Sequence, residues 1–317
     1  MYRSPGIGDK VFIEGRLSDG KRRLFLVDTG SALTVLSREA ALALDLTLEP
    51  QPGQLVGLGG RTSWTASTLP SLRLGPFSVH DLRVAVGVLG VPTHVGIVPI
   101  GGIIGNDVLG RFETIIDYPA NQMELGRPGT SPVPENAVAL FFNGEHGLVQ
   151  STLTARDASG FTVEQPALLE IDTGARSILL MGGTTTNLGQ VSSEGTEPLT
   201  GIGAPVGQTL ASLNRPTRRV PIVQYKVGGK TIELPTTATW IDWNQPVRRH
   251  APGMPGLLGY SAMRDHRVYI DYPGRRFALT PSSGAQPAKD VHEWLLKRGQ
   301  GEPLEKARAL IVLKREE

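Results

Sequence analysis

Short apolar runs separated by turn residues recur along most of the chain. Val11–Leu17 and Leu24–Val27 flank a polar turn at residues 18–21, which contains an Asp-Gly pair suited to a tight reversal. The segment Leu148–Ile171 repeats this arrangement around a polar loop at residues 157–160. Each such pair of runs predicts a β-hairpin, and their frequency predicts a mostly β protein.

One short helix is predicted after the first hairpin. Residues 37–44 read Ser-Arg-Glu-Ala-Ala-Leu-Ala-Leu, in which the serine can cap the first turn and alanine and leucine favour the helix. The matching region of the second half, residues 182–186, contains two glycines and three threonines. Any equivalent helix there is expected to be weaker.

The chain contains an internal duplication. Residues 28–31 read Asp-Thr-Gly-Ser and residues 172–175 read Asp-Thr-Gly-Ala, and each tetrapeptide ends an apolar run. A glycine-rich segment begins 29 residues after each aspartate, at Gly57 and at Gly201, so both elements share an offset of 144. Two further elements repeat at an offset of 154: Gly-Ile-Ile-Gly with Gly-Leu-Leu-Gly at 102–105 and 256–259, and Ile-Asp-Tyr-Pro at 116–119 and 270–273.

This duplication predicts two lobes. The proline-rich stretch at residues 127–134 is the natural linker. We therefore expect an N-terminal lobe over residues 1–130, a C-terminal lobe over residues 131–284, and a tail over residues 285–317 that packs on the lobes. A length of 317 residues suits two domains.

Composition and charge narrow the possible functions. The net charge is +2, and the basic residues lie in scattered doublets typical of solvated surface, so no nucleic acid partner is expected. The chain has no cysteine, which excludes disulfides, thiolate metal sites and a cysteine nucleophile. The six histidines show no metal-ligand spacing, and we expect no metal or other cofactor.

The sequence leaves the compartment open. No run approaches the length of a membrane span, and the N-terminus lacks the apolar core of a signal peptide. As written, the chain is expected to be soluble and cytoplasmic, or periplasmic or secreted if a signal was removed.

The repeated aspartates, Asp28 and Asp172, suggest a specific chemistry. Hydrolysis of an amide without a metal or a nucleophilic side chain needs a base for the attacking water and an acid for the carbonyl oxygen. Two adjacent carboxyl groups can supply both, because they cannot both ionise cheaply and so hold one proton over a broad acidic range. Asp28 and Asp172 are therefore predicted to be the catalytic pair.

The residues after each aspartate are predicted to hold it in place. The glycine permits a sharp turn that brings backbone N–H groups near the carboxylate, and the threonine hydroxyl can bond across to the other lobe. These support residues are Thr29, Gly30 and Ser31 in the first lobe and Thr173, Gly174 and Ala175 in the second. Because Ser31 can donate to a carboxylate and Ala175 cannot, Asp28 is predicted to be the charged partner.

These motifs resemble the clan of pepsin-like and retropepsin-like aspartic peptidases, over nearly the whole chain from Val11 to Leu279. In that clan, apolar-apolar-glycine elements like those at residues 103–105 and 257–259 brace each active-site loop. Residues 28–37 are closer to bacterial and retroviral members than to pepsin, so the chain resembles two retropepsin-type lobes fused in tandem. The resemblance implies an all-β, bilobal pepsin-like fold with two pseudo-symmetric, barrel-like lobes and few short helices, active as a monomer.

The resemblance also implies a β-hairpin flap over the cleft. The candidate flap residues are Gly57, Gly59, Gly60, Arg61 and Trp64 in the first lobe and Gly201 and Gly203 in the second. No tyrosine lies in the first candidate, unlike pepsin. Either Arg61 or Trp64 contacts the substrate instead, or Trp64 packs beneath the hairpin.

The predicted function is that of an aspartic-type endopeptidase, a hydrolase that cleaves an extended polypeptide with water activated between Asp28 and Asp172. Two alternatives remain open: a module that binds peptides or a partner protein without cleaving them, and a processing peptidase of narrow specificity. Structural roles are predicted for Asp117 and Asp271, as turn caps, and for residues 105–107, as support for the active-site loop.

Overall fold

A computed structural model gives the fold and describes residues 2–4, 10–57, 60–89, 94–95, 98–156, 159–181, 191–192, 217–228, 230–241, 256–282 and 284. In the first half of the chain the elements are β1 (Tyr2–Ser4), β2 (Lys10–Leu17), β3 (Arg22–Val27), β4 (Val35–Ser37), α1 (Arg38–Ala43), β5 (Pro52–Gly57), β6 (Gly60–Leu74), β7 (Phe77–Gly87), β8 (His94–Val95), β9 (Val98–Ile104), α2 (Asn106–Leu109), β10 (Glu113–Asp117) and β11 (Gln122–Gly126). In the second half they are β12 (Val138–Asn143), β13 (His146–Arg156), β14 (Thr162–Ile171), β15 (Leu179–Met181), β16 (Val191–Ser192), β17 (Thr217–Val227), β18 (Lys230–Ile241), β19 (Gly256–Leu258), α3 (Tyr260–Met263), β20 (Arg267–Asp271) and β21 (Arg276–Thr280).

The first lobe is a closed barrel of six strands. Its strands pair in the order β2–β3–β9–β4–β7–β6, and the pairing of Leu17 with Leu72 joins β6 back to β2. β1 and β5 extend this sheet outside the ring. Leu69 and Phe25 are fully buried in its core, as the alternating apolar pattern of the strands requires.

The second lobe repeats this barrel with the same connectivity. The order β13–β14–β19–β15–β18–β17 corresponds strand for strand to the first lobe, and pairing of β13 with β17 closes the ring. The predicted bilobal, pseudo-symmetric all-β fold is therefore confirmed. No helix in the described part of the chain is long and apolar enough to cross a membrane.

A sheet shared by both lobes joins the two barrels. β10 pairs antiparallel with β20, so that Ile115 lies opposite Tyr269, and β11 and β21 flank this pair. The two Ile-Asp-Tyr-Pro motifs lie at the ends of β10 and β20. Asp117 accepts hydrogen bonds from the Ala120 N–H and the Ser282 hydroxyl, at 2.9 and 2.6 Å, which agrees with its predicted capping role.

Two local predictions are met by the structure. The first hairpin forms with Gly20 at a φ of 72°, in the left-handed region that favours glycine. The Ser37 hydroxyl accepts a hydrogen bond from the Ala40 N–H at 3.1 Å and caps α1. The predicted weaker helix after residue 181 and the tail at residues 285–317 lie outside the described residues.

Candidate active site

Each motif aspartate lies where a strand ends beside the bracing element of its own lobe. Asp28 follows β3, and its N–H donates to the Ile104 carbonyl at 3.1 Å. Asp172 follows β14, and its N–H donates to the Leu258 carbonyl at 3.2 Å. Because β3 runs parallel to β9 and β14 parallel to β19, the predicted apolar-apolar-glycine elements fix both aspartate turns in the same way.

The two turns face each other across the junction of the lobes. A Cβ atom on Gly30 would lie 2.5–2.7 Å from the carboxyl atoms of Asp172, and one on Gly174 would overlap the carboxyl group of Asp28 in the same manner. Neither glycine has a positive φ. Glycine is thus required here because the opposite aspartate occupies the space of a side chain, rather than because the backbone turns into a region closed to other residues.

Two threonines lock the turns together. The Thr29 hydroxyl donates to the Ile171 carbonyl at 2.7 Å and accepts from the Thr173 N–H at 3.0 Å. In the mirror arrangement, the Thr173 hydroxyl donates to the Val27 carbonyl at 2.8 Å and accepts from the Thr29 N–H at 3.1 Å. All four bonds cross between lobes and are buried, so the predicted cross-lobe role of the threonines is met.

Burial controls the ionisation of the pair. Both carboxyl groups belong to residues only 8% exposed. Burial, followed by the charge of Asp172, raises the pKa of Asp28 to about 7. Burial also raises the pKa of Asp172, although the nearby charge of Lys10 and hydrogen bonds from the Gly174 and Ala175 N–H groups oppose the rise. The two groups are therefore poised to share one proton.

The hydrogen bonds around the pair differ from those predicted. The Ser31 hydroxyl donates to the Leu33 carbonyl at 2.8 Å, so its predicted bond to Asp28 is wrong. Asp28 accepts a hydrogen bond from one N–H group, that of Gly30, at 3.0 Å, whereas Asp172 accepts from two, those of Gly174 and Ala175. Because hydrogen bonds to a carboxylate favour its ionised form, the arrangement favours the proton on Asp28 and the charge on Asp172.

A chain of hydrogen bonds supports the first turn from behind. The Asn106 amide donates to the Thr29 carbonyl at 2.7 Å, and the Tyr272 hydroxyl of the second lobe donates to the Asn106 side-chain oxygen at 2.8 Å. The equivalent of Asn106 in the second lobe is Tyr260, whose ring contacts that of Tyr118 edge-on at 5.4 Å. Residues 105–107 thus support the active-site loop as predicted, and each lobe contributes one tyrosine to the bracing of the other.

Three further ionisable side chains lie around the aspartates. Glu170 is fully buried two residues before Asp172, and its carboxylate is 2.7 Å from the His146 Nδ1. Burial raises the pKa of Glu170 to about 7, and the hydrogen bond from Glu170 raises that of His146. The pKa of Lys10, a residue only 2% exposed, is lowered, because burial outweighs the opposing attraction of Asp172 and Asp28.

None of these three residues was predicted from the sequence as a site residue. For Glu170 a signal existed, because a glutamate inside the apolar run Leu-Leu-Glu-Ile must be buried with a partner. For Lys10 and His146 the signal was only their position at the start of a strand, which becomes informative once the register of the hairpin is known.

The candidate flap of the first lobe is a hairpin of β5 and β6. Gly57 pairs with Gly60, and the two residues between them, including Gly59, lie outside the described residues. The Trp64 indole lies over Gly53 of β5, where a Cβ atom would be 2.5 Å from the ring. This contact favours the packing role for Trp64. Arg61 lies in β6, and Gly201 and Gly203 lie outside the described residues.

Comparisons with known proteins agree with this architecture. Residues 13–108 match the family model described as aspartyl protease. A crystal structure of an aspartic proteinase from Irpex lacteus shares the fold at a TM-score of 0.52 and 13% identity, covering 90% of this chain and 98% of that chain. A retropepsin-like aspartic protease from Rickettsia conorii is 20% identical over 35% of this chain and 77% of that chain, but its TM-score of 0.27 is too low to support an argument. No curated protein sequence matches the chain.

The family match lies in the first lobe, around Asp28, while the shared fold extends over both lobes. Together they confirm the resemblance inferred from the duplicated motifs: the chain has the two-lobed fold of an aspartic proteinase and carries an aspartyl protease family match over residues 13–108.

Proposed function

We propose that this protein is an aspartic-type endopeptidase that hydrolyses peptide bonds of an extended polypeptide, with Asp28 and Asp172 as its catalytic residues. The observation that carries the proposal is the placement of two buried carboxyl groups face to face, each against the glycine of the opposite lobe. A merely structural aspartate pair would gain nothing from this arrangement, since burying two acids side by side is costly.

The mechanism follows from the unequal hydrogen bonding of the pair. The ionised Asp172 removes a proton from a water molecule as its oxygen attacks the peptide carbonyl carbon. The protonated Asp28 donates its proton to the carbonyl oxygen, which gives a neutral tetrahedral diol. Asp172 then donates its proton to the amide nitrogen, and Asp28 removes a proton from a hydroxyl of the diol. The C–N bond breaks, and the pair again holds one proton, on Asp28.

The substrate would bind between the lobes under a flap. The proposed substrate-contacting residues of the flaps are Gly57, Gly59, Gly60, Arg61 and Gly201 with Gly203, while Trp64 supports the first hairpin from below. Because both aspartates lie in one chain, the monomer would be competent. We retain the division into lobes at residues 1–130 and 131–284, with a tail over residues 285–317, as part of this proposal.

The test is digestion of a diverse peptide library by the wild type and by the variants Asp28→Asn and Asp172→Asn. Each substitution should abolish cleavage while leaving the unfolding transition in place, because asparagine keeps the shape of aspartate but cannot exchange the proton. The matched control is Asp45→Asn, at an exposed turn position with a φ of 51° that asparagine tolerates. It should cleave like the wild type.

Three outcomes separate the hypotheses. Cleavage that a statine-type inhibitor blocks supports the endopeptidase, and retention of wild-type cleavage by either active-site variant contradicts the shared mechanism. Saturable binding of peptides without products would instead support a non-cleaving module.

The pH profile is a separate test. Because the pKa of Asp28 is raised to about 7, we expect activity to persist toward neutral pH, and a profile with its maximum at about pH 2 would contradict this expectation.

A further inference from the structure

In each lobe a hairpin leads into the motif aspartate: β2–β3 leads into Asp28 and β13–β14 into Asp172. The first strand of each hairpin begins with a basic residue, which lies across the hairpin from the aspartate. In the first lobe Phe12 pairs with Leu26, and continuing this antiparallel register by two residues places Lys10 opposite Asp28. In the second lobe Leu148 pairs with Glu170, and the same extension places His146 opposite Asp172. Residues that are opposite in an antiparallel pair project from the same face of the sheet. Each lobe therefore presents one basic side chain on the face of its aspartate.

The His146 side chain is neutralised within its own lobe. Its ring lies 2.7 Å from the carboxylate of Glu170, a residue of β14 two positions before Asp172. Burial favours a proton on Glu170 and the hydrogen bond favours one on His146. With one titratable proton between them the two groups carry no net charge, whichever group holds it, and in that state they leave the charge of the aspartates uncompensated.

Lys10 has no such local partner. The residue is 2% exposed, and its Nζ makes no hydrogen bond to any residue that the structure describes. Among the residues that the structure describes, the charged groups close enough to act on it are Asp172, Asp28 and the exposed Arg176. The first two attract the ammonium and the third repels it. A buried ammonium is costly unless an opposite charge compensates it, and here the compensation comes from the aspartate pair.

We propose, on the basis of the endopeptidase function inferred above, that Lys10 is the counter-ion of the Asp28–Asp172 pair and sets the pH range of catalysis. With one proton on the aspartates, their single negative charge balances the ammonium, and the neutral Glu170–His146 pair completes a cluster without net charge. Lys10 touches no reacting atom. It acts through the aspartates by favouring their ionised forms, so it is a positioning residue for charge.

The experiment compares pH profiles of kcat/KM for Lys10→Met, Lys10→Arg and Lys21→Met. Lys10→Met removes the charge but keeps most of the side-chain volume, and both limbs of its profile should move to higher pH, by about one pH unit or more. Lys10→Arg keeps the charge and should retain the wild-type midpoints. Lys21→Met removes an exposed lysine from the same hairpin and should leave the profile unchanged.

A Lys10→Met profile that coincides with that of the wild type would overturn the proposal while leaving the endopeptidase function intact. A second measurement requires neither activity nor a change at Lys10. The titration of the Lys10 Nζ is followed by NMR in the wild type, in Asp28→Asn and in Asp172→Asn. Coupling is reciprocal, so loss of the negative charge should lower the Lys10 midpoint, and an unchanged midpoint in both variants would refute the counter-ion role. If the wild type cleaves nothing, the endopeptidase proposal fails, and this titration still decides the charge coupling.

Discussion

Replacement of Thr29 by valine tests whether the threonine hydroxyls hold the two aspartate turns together. Valine preserves the size and branching of threonine, so the change removes the hydroxyl and little else. In the structure that hydroxyl donates to the Ile171 carbonyl at 2.7 Å and accepts from the Thr173 N–H at 3.0 Å. Both backbone groups belong to buried residues. Thr29→Val therefore deprives two buried backbone groups of a partner at once.

The expected cost follows from this count. A buried polar group left unsatisfied costs about 1–3 kcal/mol, so two such groups should destabilise the fold by about 2–6 kcal/mol. Native domains are stable by only about 5–15 kcal/mol, which makes this a large fraction of the total. Because the lost bonds cross between lobes, kcat/KM should also fall, as the two carboxyl groups lose their fixed separation.

The measurement is urea unfolding followed by tryptophan fluorescence, with Thr154→Val as the matched control. Thr154 is 7% exposed, and its hydroxyl has no hydrogen-bond partner among the described residues. Its loss should be neutral or slightly stabilising, because no bond is broken and a buried polar atom is removed. If Thr29→Val were as stable as Thr154→Val to within about 0.5 kcal/mol, the cross-lobe bonds would not stabilise the junction and the reasoning would fail.

Two further predictions follow from the active-site geometry. Gly30→Ala should abolish cleavage in the peptide assay, because its Cβ would lie 2.5–2.7 Å from the carboxyl atoms of Asp172. The control is Gly87→Ala, whose Cβ would lie 3.5 Å from its nearest neighbour, and it should retain wild-type cleavage. Equal activity of the two variants would contradict the close approach of the lobes. The free energy of unfolding should fall as the pH rises from about 4 to 8. The pKa values of Glu170 and Asp28 in the folded protein are about 7, above their ordinary values of 4.5 and 3.8. The stability that these two groups contribute is therefore complete below the ordinary values and is lost as the pH rises through about 7. Thermal unfolding across this range checks the sign, and Glu170→Gln should reduce the slope, while a Tm that rises with pH would refute it.

The sequence alone was sufficient for the class of fold and for locating the two Asp-Thr-Gly turns that the structure brings together. Period-two apolar runs and turn residues such as the Asp-Gly pair at residues 19–20 specify hairpins locally, and the matched spacing of the two Asp-Thr-Gly motifs indicates a duplicated unit. The cross-lobe hydrogen bonds of Thr29 and Thr173 also agree with the expectation that these hydroxyls bond to the opposite lobe.

The environment of the aspartates depended on the tertiary structure. Gly30 and Gly174 are needed for the space taken by the opposite aspartate, and the partner of the Ser31 hydroxyl is a carbonyl in its own loop. The glycine contacts join residues far apart in sequence, and the Ser31 hydroxyl has more than one acceptor close to it along the chain. Sequence spacing alone does not predict which of these contacts forms.

What the sequence determined by itself was therefore a two-lobed β protein with one Asp-Thr-Gly turn in each lobe, since local propensity and the repeat encode both. What only the tertiary structure decided was the charge around those turns. Lys10, His146 and Glu170 become neighbours of the aspartates through hairpin register and the joining of two barrels, and burial then shifts their pKa values, which depend on all the groups nearby rather than on any one segment of chain.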